Sequence, residues 1–302
     1  MVELSVHYRA RSACVVDRTH ARPDDFCHVW PADTANMHAT MPLKPSRFLM
    51  LASLGVLLFS ANASATWSVA AVNPDTGTIA VAGASCSYMV YGIARVLPGR
   101  GVIIVQAASN DQARSDAATW LEKGDRLDTI MARLTATDSG YAIAQQQIAL
   151  LSVDGKELPR TFTGDEVEDV KSSKVAPGVS VQANTMASEK VVPSTFAALH
   201  PADWNDDEAM ADAMIRALLA GAAEGGDKRC TGTGSASAFI SLFRKNDNER
   251  VPWLNLVVYG IEPGKLDAVA QLRNLYEDWK QSRPQPASLQ TFKIPGLDLA
   301  NN

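Results

Sequence analysis

The sequence predicts an α+β fold, and three observations carry that prediction. Short apolar or alternating runs bounded by Gly, Pro, Asn and Asp recur in pairs along residues 66–260. Amphipathic helical repeats fall between those pairs, in twos, rather than after every strand. One run, Gly101 to Ala108, is apolar almost throughout, as a central strand covered on both faces must be. Hairpin-joined strands segregated from helix pairs give antiparallel sheets with helices on their outer sides. Two sheets stacked between two helical layers, a four-layer αββα sandwich, would bury every apolar face. The pattern equally allows a simpler two-layer arrangement.

The elements follow in order. Thr66 to Val72 and Thr78 to Ser85 are two strands around an Asn73-Pro-Asp-Thr-Gly77 turn, which makes them a hairpin. Residues 86–100 read as a loop rich in Tyr, Gly and Pro. Ser109-Asn110-Asp111 caps a helix with Ala113, Ala117, Trp120 and Leu121 on one face; Gly124 ends it and a second helix restarts at Asp125. Tyr141 to Val153 is expected to be one long strand, turning at Asp154-Gly155 into Leu158 to Thr163. Gly164 to Pro177 is polar and reads as an exposed loop before a strand at Val179 to Met186. Helices are expected from about Ser188 to Leu199 and from Asp206 to the Gly225-Gly226 stop. Ser235 to Arg244 and Trp253 to Gly260 form a last strand pair. A final helix, Pro263 to Trp279, buries Leu266, Val269, Leu272 and Tyr276. Residues 281–302 are Pro-rich, lack periodicity and read as a tail, so the domain is placed at 66–280.

The front of the chain is of another kind. A basic segment (Lys44, Arg47), an apolar run from Phe48 to Phe59 and the small residues Ala63-Ser64-Ala65 make 41–65 a secretion signal with an A-x-A cleavage site. The apolar run is short for a membrane span of about 20 residues. Residues 1–40 have no period and read as an over-extended translation start, with Met37 or Met41 the expected first residue. A signal left uncleaved, anchoring the chain in a membrane, is the competing reading. The expected location is the periplasm or the exterior, and signal peptidase is the expected maturation partner.

Charge and residue usage narrow the chemistry. A net charge of −5 with no basic run after residue 66 speaks against a nucleic-acid partner. Of five histidines, only His200 lies beyond residue 66. A multi-histidine metal site is therefore not expected, nor an imidazole base. Gly225-Gly226 lacks P-loop spacing, and no cofactor is expected. Cys86 and Cys230 remain in the mature part, where an oxidising compartment would favour a bond; two separate buried thiols are the alternative.

Cleavage after Ala65 would leave Thr66 as the first residue. A terminal threonine holds a hydroxyl nucleophile and, in its α-amine of pKa about 7.7–8.0, a general base.

Several segments carry a family resemblance. They are Thr66-Trp-Ser-Val-Ala-Ala-Val-Asn-Pro-Asp-Thr-Gly, Val81-Ala-Gly-Ala-Ser-Cys86, Gln106-Ala-Ala-Ser-Asn110, Thr161-Phe-Thr-Gly164, Val181-Gln-Ala-Asn184, Gly225-Gly-Asp227-Lys-Arg229-Cys230 and Ser235-Ala-Ser-Ala-Phe. In this order, over about 66–279, they resemble the DUF1028 family, which is itself similar to the N-terminal-nucleophile (Ntn) hydrolases of four-layer αββα fold. The match departs at Ala183 and Cys230, where many members have Gly. Cys86 with Cys230 resembles a secreted subgroup, which implies a Cys86–Cys230 disulfide.

The resemblance implies an exported amidohydrolase acting on a small amide or peptide-like ligand, with Thr66 as nucleophile and base. Asn184 would serve the oxyanion and Asp227 would orient the amine, while Ser85, Asn110 and Arg229 would line the substrate pocket. Each has a plainer role available: a turn Asn, a Gly-loop Asp, an alternating strand Ser, a helix cap and a surface ion pair. A non-catalytic binding protein on the same fold is the rival reading.

Overall fold

A computed structural model describes residues 65–282. The expected early start, most of the signal and nearly all of the tail therefore lie outside the described residues.

The Asn73–Gly77 turn joins β1 (Thr66–Asn73) to β2 (Thr78–Ser85), as its Pro-Asp-Thr-Gly chemistry requires: Gly77 sits at φ 76° and its N–H bonds Asn73 O at 2.8 Å. The remaining strands are β3 (Ala94–Leu97), β4 (Gly101–Ala107), β5 (Gln146–Ser152), β6 (Arg160–Thr163), β7 (Ser172–Ala176), β8 (Val179–Asn184), β9 (Ser237–Phe243) and β10 (Leu254–Val258). They form a six-stranded sheet in the order β10-β9-β2-β1-β8-β7 and a four-stranded sheet in the order β3-β4-β5-β6. Every pairing is antiparallel.

Side-chain parity assigns the layers. In β1, Trp67, Val69 and Ala71 join one core with Met210, Met214 and Leu218 of α4 (Asp207–Ala223), Val191 of α3 (Val191–Ala197) and Tyr276 of α5 (Ala268–Ser282). Ala70 and Val72, on the other face, meet Val102, Ile104, Ala149 and Leu151 of the four-stranded sheet. That sheet's outer residues, Ile103, Val105, Ile148 and Leu150, pack on α1 (Asp111–Glu122) and α2 (Leu127–Leu134). The layers are thus helices, six-stranded sheet, four-stranded sheet, helices, which is the four-layer arrangement.

Beyond shifts of element ends, such as β8 stopping at Asn184 and α3 running only Val191–Ala197, the structure differs from the sequence reading in four places. The 86–100 loop contains β3, a short strand hydrogen-bonded to β4. The polar 164–177 segment contains β7, whose residues are exposed at the sheet edge and so carry no apolar signal. The long strand begins only at Gln146, because Ala142 turns left-handed (φ 53°) and a 3₁₀ turn intervenes. The last helix starts at Ala268, where the Asp267 carboxylate accepts the Ala270 N–H at 2.9 Å; Leu266 precedes it and is exposed, not buried.

Candidate functional site

Thr66 is the first residue of β1, between β2 and β8. The register sets Ser85 beside it on one flank and Asn184 on the other. Its parity with Ser68 and Ala70 turns it toward the gap between the sheets. There the core changes character. At the far end of β1 the gap is filled by Val72, Ile79, Val102 and Leu151; at the Thr66 end it holds Ser68, Gln106, Gln147, Gln182 and Asn184, all fully buried.

Buried amides must be paired, and these are paired with one another. Gln106 Nε2 donates to Thr66 O at 3.2 Å and to Gln147 Oε1 at 2.8 Å. Ser68 Oγ donates to Gln106 Oε1 and itself accepts from Gln182 Nε2. Gln147 Nε2 reaches Ala183 O at 3.1 Å and Thr163 Oγ1 at 2.9 Å. The two sheets are therefore tied by polar contacts directly under the Thr66 carbonyl.

Asn184 belongs to this network. Its Nδ2 lies 3.3 Å from Gln147 Oε1 and 3.5 Å from Thr66 O, so its amide is aimed at the main chain of Thr66 itself. The next residue, Thr185, is left-handed (φ 59°), a costly conformation for a β-branched side chain, and it ends β8 abruptly.

That break lets the Gly-Gly-Asp loop dock. Ala187 N bonds Gly226 O at 2.9 Å, and Lys228 N bonds Thr185 O at 3.1 Å. Trp67 sets the fit: a Cβ on Gly226 would lie 2.8 Å from its ring, and one on Gly221 of α4 only 2.8 Å from its Nε1. Asp227 is consequently buried. It accepts Cys86 N at 2.8 Å and holds Arg229 two-handed, Nε to Oδ1 at 3.1 Å and Nη2 to Oδ2 at 2.8 Å. Cys86 and Cys230 are disulfide-bonded with Cα atoms 5.8 Å apart, which pins the end of β2 to this loop.

The groups converge on the peptide bond between Ala65 and Thr66. The Ala65 carbonyl accepts from Ser85 Oγ and, at 3.2 Å, from Arg229 Nη2. Arg229 also lies 3.4 Å from Ser87 Oγ; its side chain is 35% exposed against none for Asp227, so the guanidinium fronts the site and the carboxylate backs it.

The structure thus gathers Thr66, Ser85, Asn184, Asp227 and Arg229. It does not bring in Asn110, whose Oδ1 caps α1 through Ala113 N at 2.9 Å and whose Nδ2 donates to Tyr141 O at 3.2 Å. Sequence reasoning missed Ser68, Gln147 and Gln182. Their signal is a polar side chain at inward parity within an apolar strand. Among the described residues no group of three or more His, Cys, Asp or Glu is placed to hold a metal ion, and no helix is long and apolar enough to cross a membrane. A cavity of about 550 Å³ lies at the opposite end of β1, around Asp75, Gly77, Arg100 and Lys245, away from the buried polar convergence.

Comparison with known proteins agrees with this architecture. The crystal structure of protein SPO2555 from Silicibacter pomeroyi, a DUF1028 protein, is similar to the chain at a TM-score of 0.57 and 22% identity, over 71% of this chain and 86% of that one, which shows a shared fold. Among curated proteins none matches. The model of the family of unknown function DUF1028 matches residues 66–268, starting at the strand that carries Thr66, and the chain belongs to that family.

Proposed function

We propose that the chain is the precursor of an exported N-terminal-threonine amidohydrolase. Signal peptidase removes 41–65 and frees Thr66. The observation that carries this reading is the convergence of Ser85 Oγ and of Arg229 Nη2, itself held by the Asp227 carboxylate, on the Ala65 carbonyl, at the polar end of the inter-sheet space.

In the mature protein the α-amine of Thr66 takes the proton of its own hydroxyl as Oγ1 attacks the carbonyl carbon of a small amide. The tetrahedral intermediate collapses, the leaving amine departs with that proton, and an acyl ester on Thr66 remains. Water, deprotonated by the same α-amine, attacks the ester and restores the hydroxyl. Ser85 Oγ and Arg229 Nη2, which converge on the Ala65 carbonyl in the precursor, offer the same pair of donors to a substrate oxygen. Arg229 as a cation near the amine favours its neutral, basic form. Asn184 holds the Thr66 carbonyl and so positions the nucleophile; this replaces the oxyanion role expected from sequence. Asp227 acts through Arg229. The disulfide is consistent with export to an oxidising compartment.

Mass spectrometry of the exported protein tests the first step: a mature start at any residue other than Thr66 would end the proposal. Labelling by a β-lactone probe, present in the mature protein and absent in Thr66→Ala, tests the second. The rival reading is a non-catalytic binding protein on the same fold, in which Thr66 is merely the terminus. Ligand retention without Thr66-dependent labelling or hydrolysis would favour it.

A further inference from the structure

The loop that leaves β2 carries a feature that the proposed chemistry does not use. Ser87, whose Oγ lies 3.4 Å from Arg229 Nη2, is followed by Tyr88 and Met89, which are 70% and 54% exposed. Tyr259, beyond β10, is 56% exposed and packs edge-on against Tyr88 with ring centroids 5.8 Å apart. Large exposed rings on a loop are ordinarily mobile, but these are held. The disulfide anchors Cys86; Ser237 Oγ donates to Ser87 O at 2.8 Å; Gly260 N donates to Tyr88 O at 2.9 Å. Gly260 is also what admits the ring: a Cβ there would stand 2.9 Å from Tyr88 Cε2. The result is a fixed aromatic ledge, open to solvent, continuous through Ser87 with the Arg229 guanidinium, whose side chain is 35% exposed.

We infer that Tyr88 and Tyr259 form a specificity subsite beside Arg229, and that the ligand is a small carboxylate bearing an aromatic or flat apolar group. The inference rests on the reading of the Thr66 end as the ligand site. A preorganised ledge gains the hydrophobic contact at little ordering cost, and a guanidinium set by a buried carboxylate suits a second, incoming carboxylate. Met89, flexible and apolar, suits the rim of such a surface.

Calorimetric titration of mature protein beginning at Thr66, and of its Thr66→Ala variant, with three probes tests this. N-acetylphenylalanine carries both groups, N-acetylglycine only the carboxylate, and N-acetylphenylalanine amide only the ring. N-acetylphenylalanine is expected to bind about tenfold more tightly than either of the others. Tyr88→Ser with Tyr259→Ser abolishes its advantage over N-acetylglycine and leaves N-acetylglycine unchanged; Tyr88→Phe with Tyr259→Phe retains it. Should the double serine variant fail to fold, Tyr259→Ser alone carries the test. Equal binding of the three probes, or none at millimolar concentration, overturns the inference. So does a concentration-dependent dimer that Tyr259→Ser dissolves, which assigns the ledge to self-association. A preference that persists without any hydrolysis keeps the subsite and refutes the Thr66 chemistry, whereas hydrolysis without preference does the reverse.

Discussion

Gln106 and Gln147 stand side by side on β4 and β5, and their amides meet at 2.8 Å beneath the carbonyl of Thr66 on the opposite sheet. Gln147 Oε1 serves both the Gln106 and the Asn184 amides, and its Nε2 serves Ala183 O. Gln147→Leu fits the space but strands those partners in a buried gap. It is expected to lower unfolding free energy by about 1–3 kcal/mol, read as a shifted urea midpoint with an unchanged slope. An unshifted midpoint would mean that water replaces the amide.

On the proposed chemistry, Arg229→Gln removes a cation that bonds the Ala65 carbonyl at 3.2 Å and so stands beside the Thr66 α-amine that cleavage would free. A positive neighbour favours the neutral amine, so its loss raises the amine pKa above that of the parent protein. The rising limb of the pH–rate profile is then expected to move to higher pH, because less free base is present at any given pH. The kcat/KM of the proposed mature form, beginning at Thr66, checks this between about pH 6 and 10. A limb that moves down, or stays in place, would show that the arginine does not act on the amine.

Gly221→Ala places a methyl 2.5 Å from Thr195 Oγ1 and 2.8 Å from Trp67 Nε1. All three groups lie in the core where α3, α4 and β1 meet, where displacement is costly, and the expected loss is about 1–3 kcal/mol despite alanine's better helix propensity. Thermal melting of the variant reads it. A rise in Tm would indicate that the neighbours yield easily.

Tyr276 is fully buried, and burial, helped by the carboxylate of Asp212, pushes its phenol well above the ordinary range near pH 10. The sign follows from proton counting. The folded state keeps the proton while the unfolded chain loses it above about pH 10, so the contribution is full below that pH and falls as pH rises. The expected slope is at most about 1.4 kcal/mol per pH unit. Tyr141, pushed up to about 12 by burial and by its hydrogen bond to Asp116 at 2.7 Å, adds to the same trend. The gap between the denaturant midpoints at pH 9 and pH 11 is expected to narrow in Tyr276→Phe, with Tyr141 keeping a remainder; a gap as wide as in the parent would contradict the assignment.

How far the sequence disclosed all this depended on where each signal came from. The β1–β2 hairpin and β4 were legible because turn chemistry and unbroken apolar runs are local. Residues β3 and β7 contribute are held by neighbours rather than by their own pattern: Ala94–Leu97 borrows the edge of β4, and Ser172–Ala176 exposes almost everything it has. Leu266 misled because its spacing matched the helix behind it, although Asp267 marked the true start. At the site, Thr66, Asp227 and Arg229 were readable from motifs. The Gln106–Gln147–Asn184 contacts needed the strand register, which places residues far apart in sequence on facing positions.

The Cys86–Cys230 bridge joins residues 144 apart in sequence and closes the loop between them. Everything from β3 through α4 lies inside that loop, including the entire four-stranded sheet and its two helices. Under oxidising conditions this stretch, which also takes in β7 and β8 of the six-stranded sheet, is a covalent ring closed at the end of β2. A single protease cut anywhere in the ring opens it without parting the chain, so a nicked molecule keeps both pieces of the Thr66 site on one covalent body, and only reduction sets the fragments free.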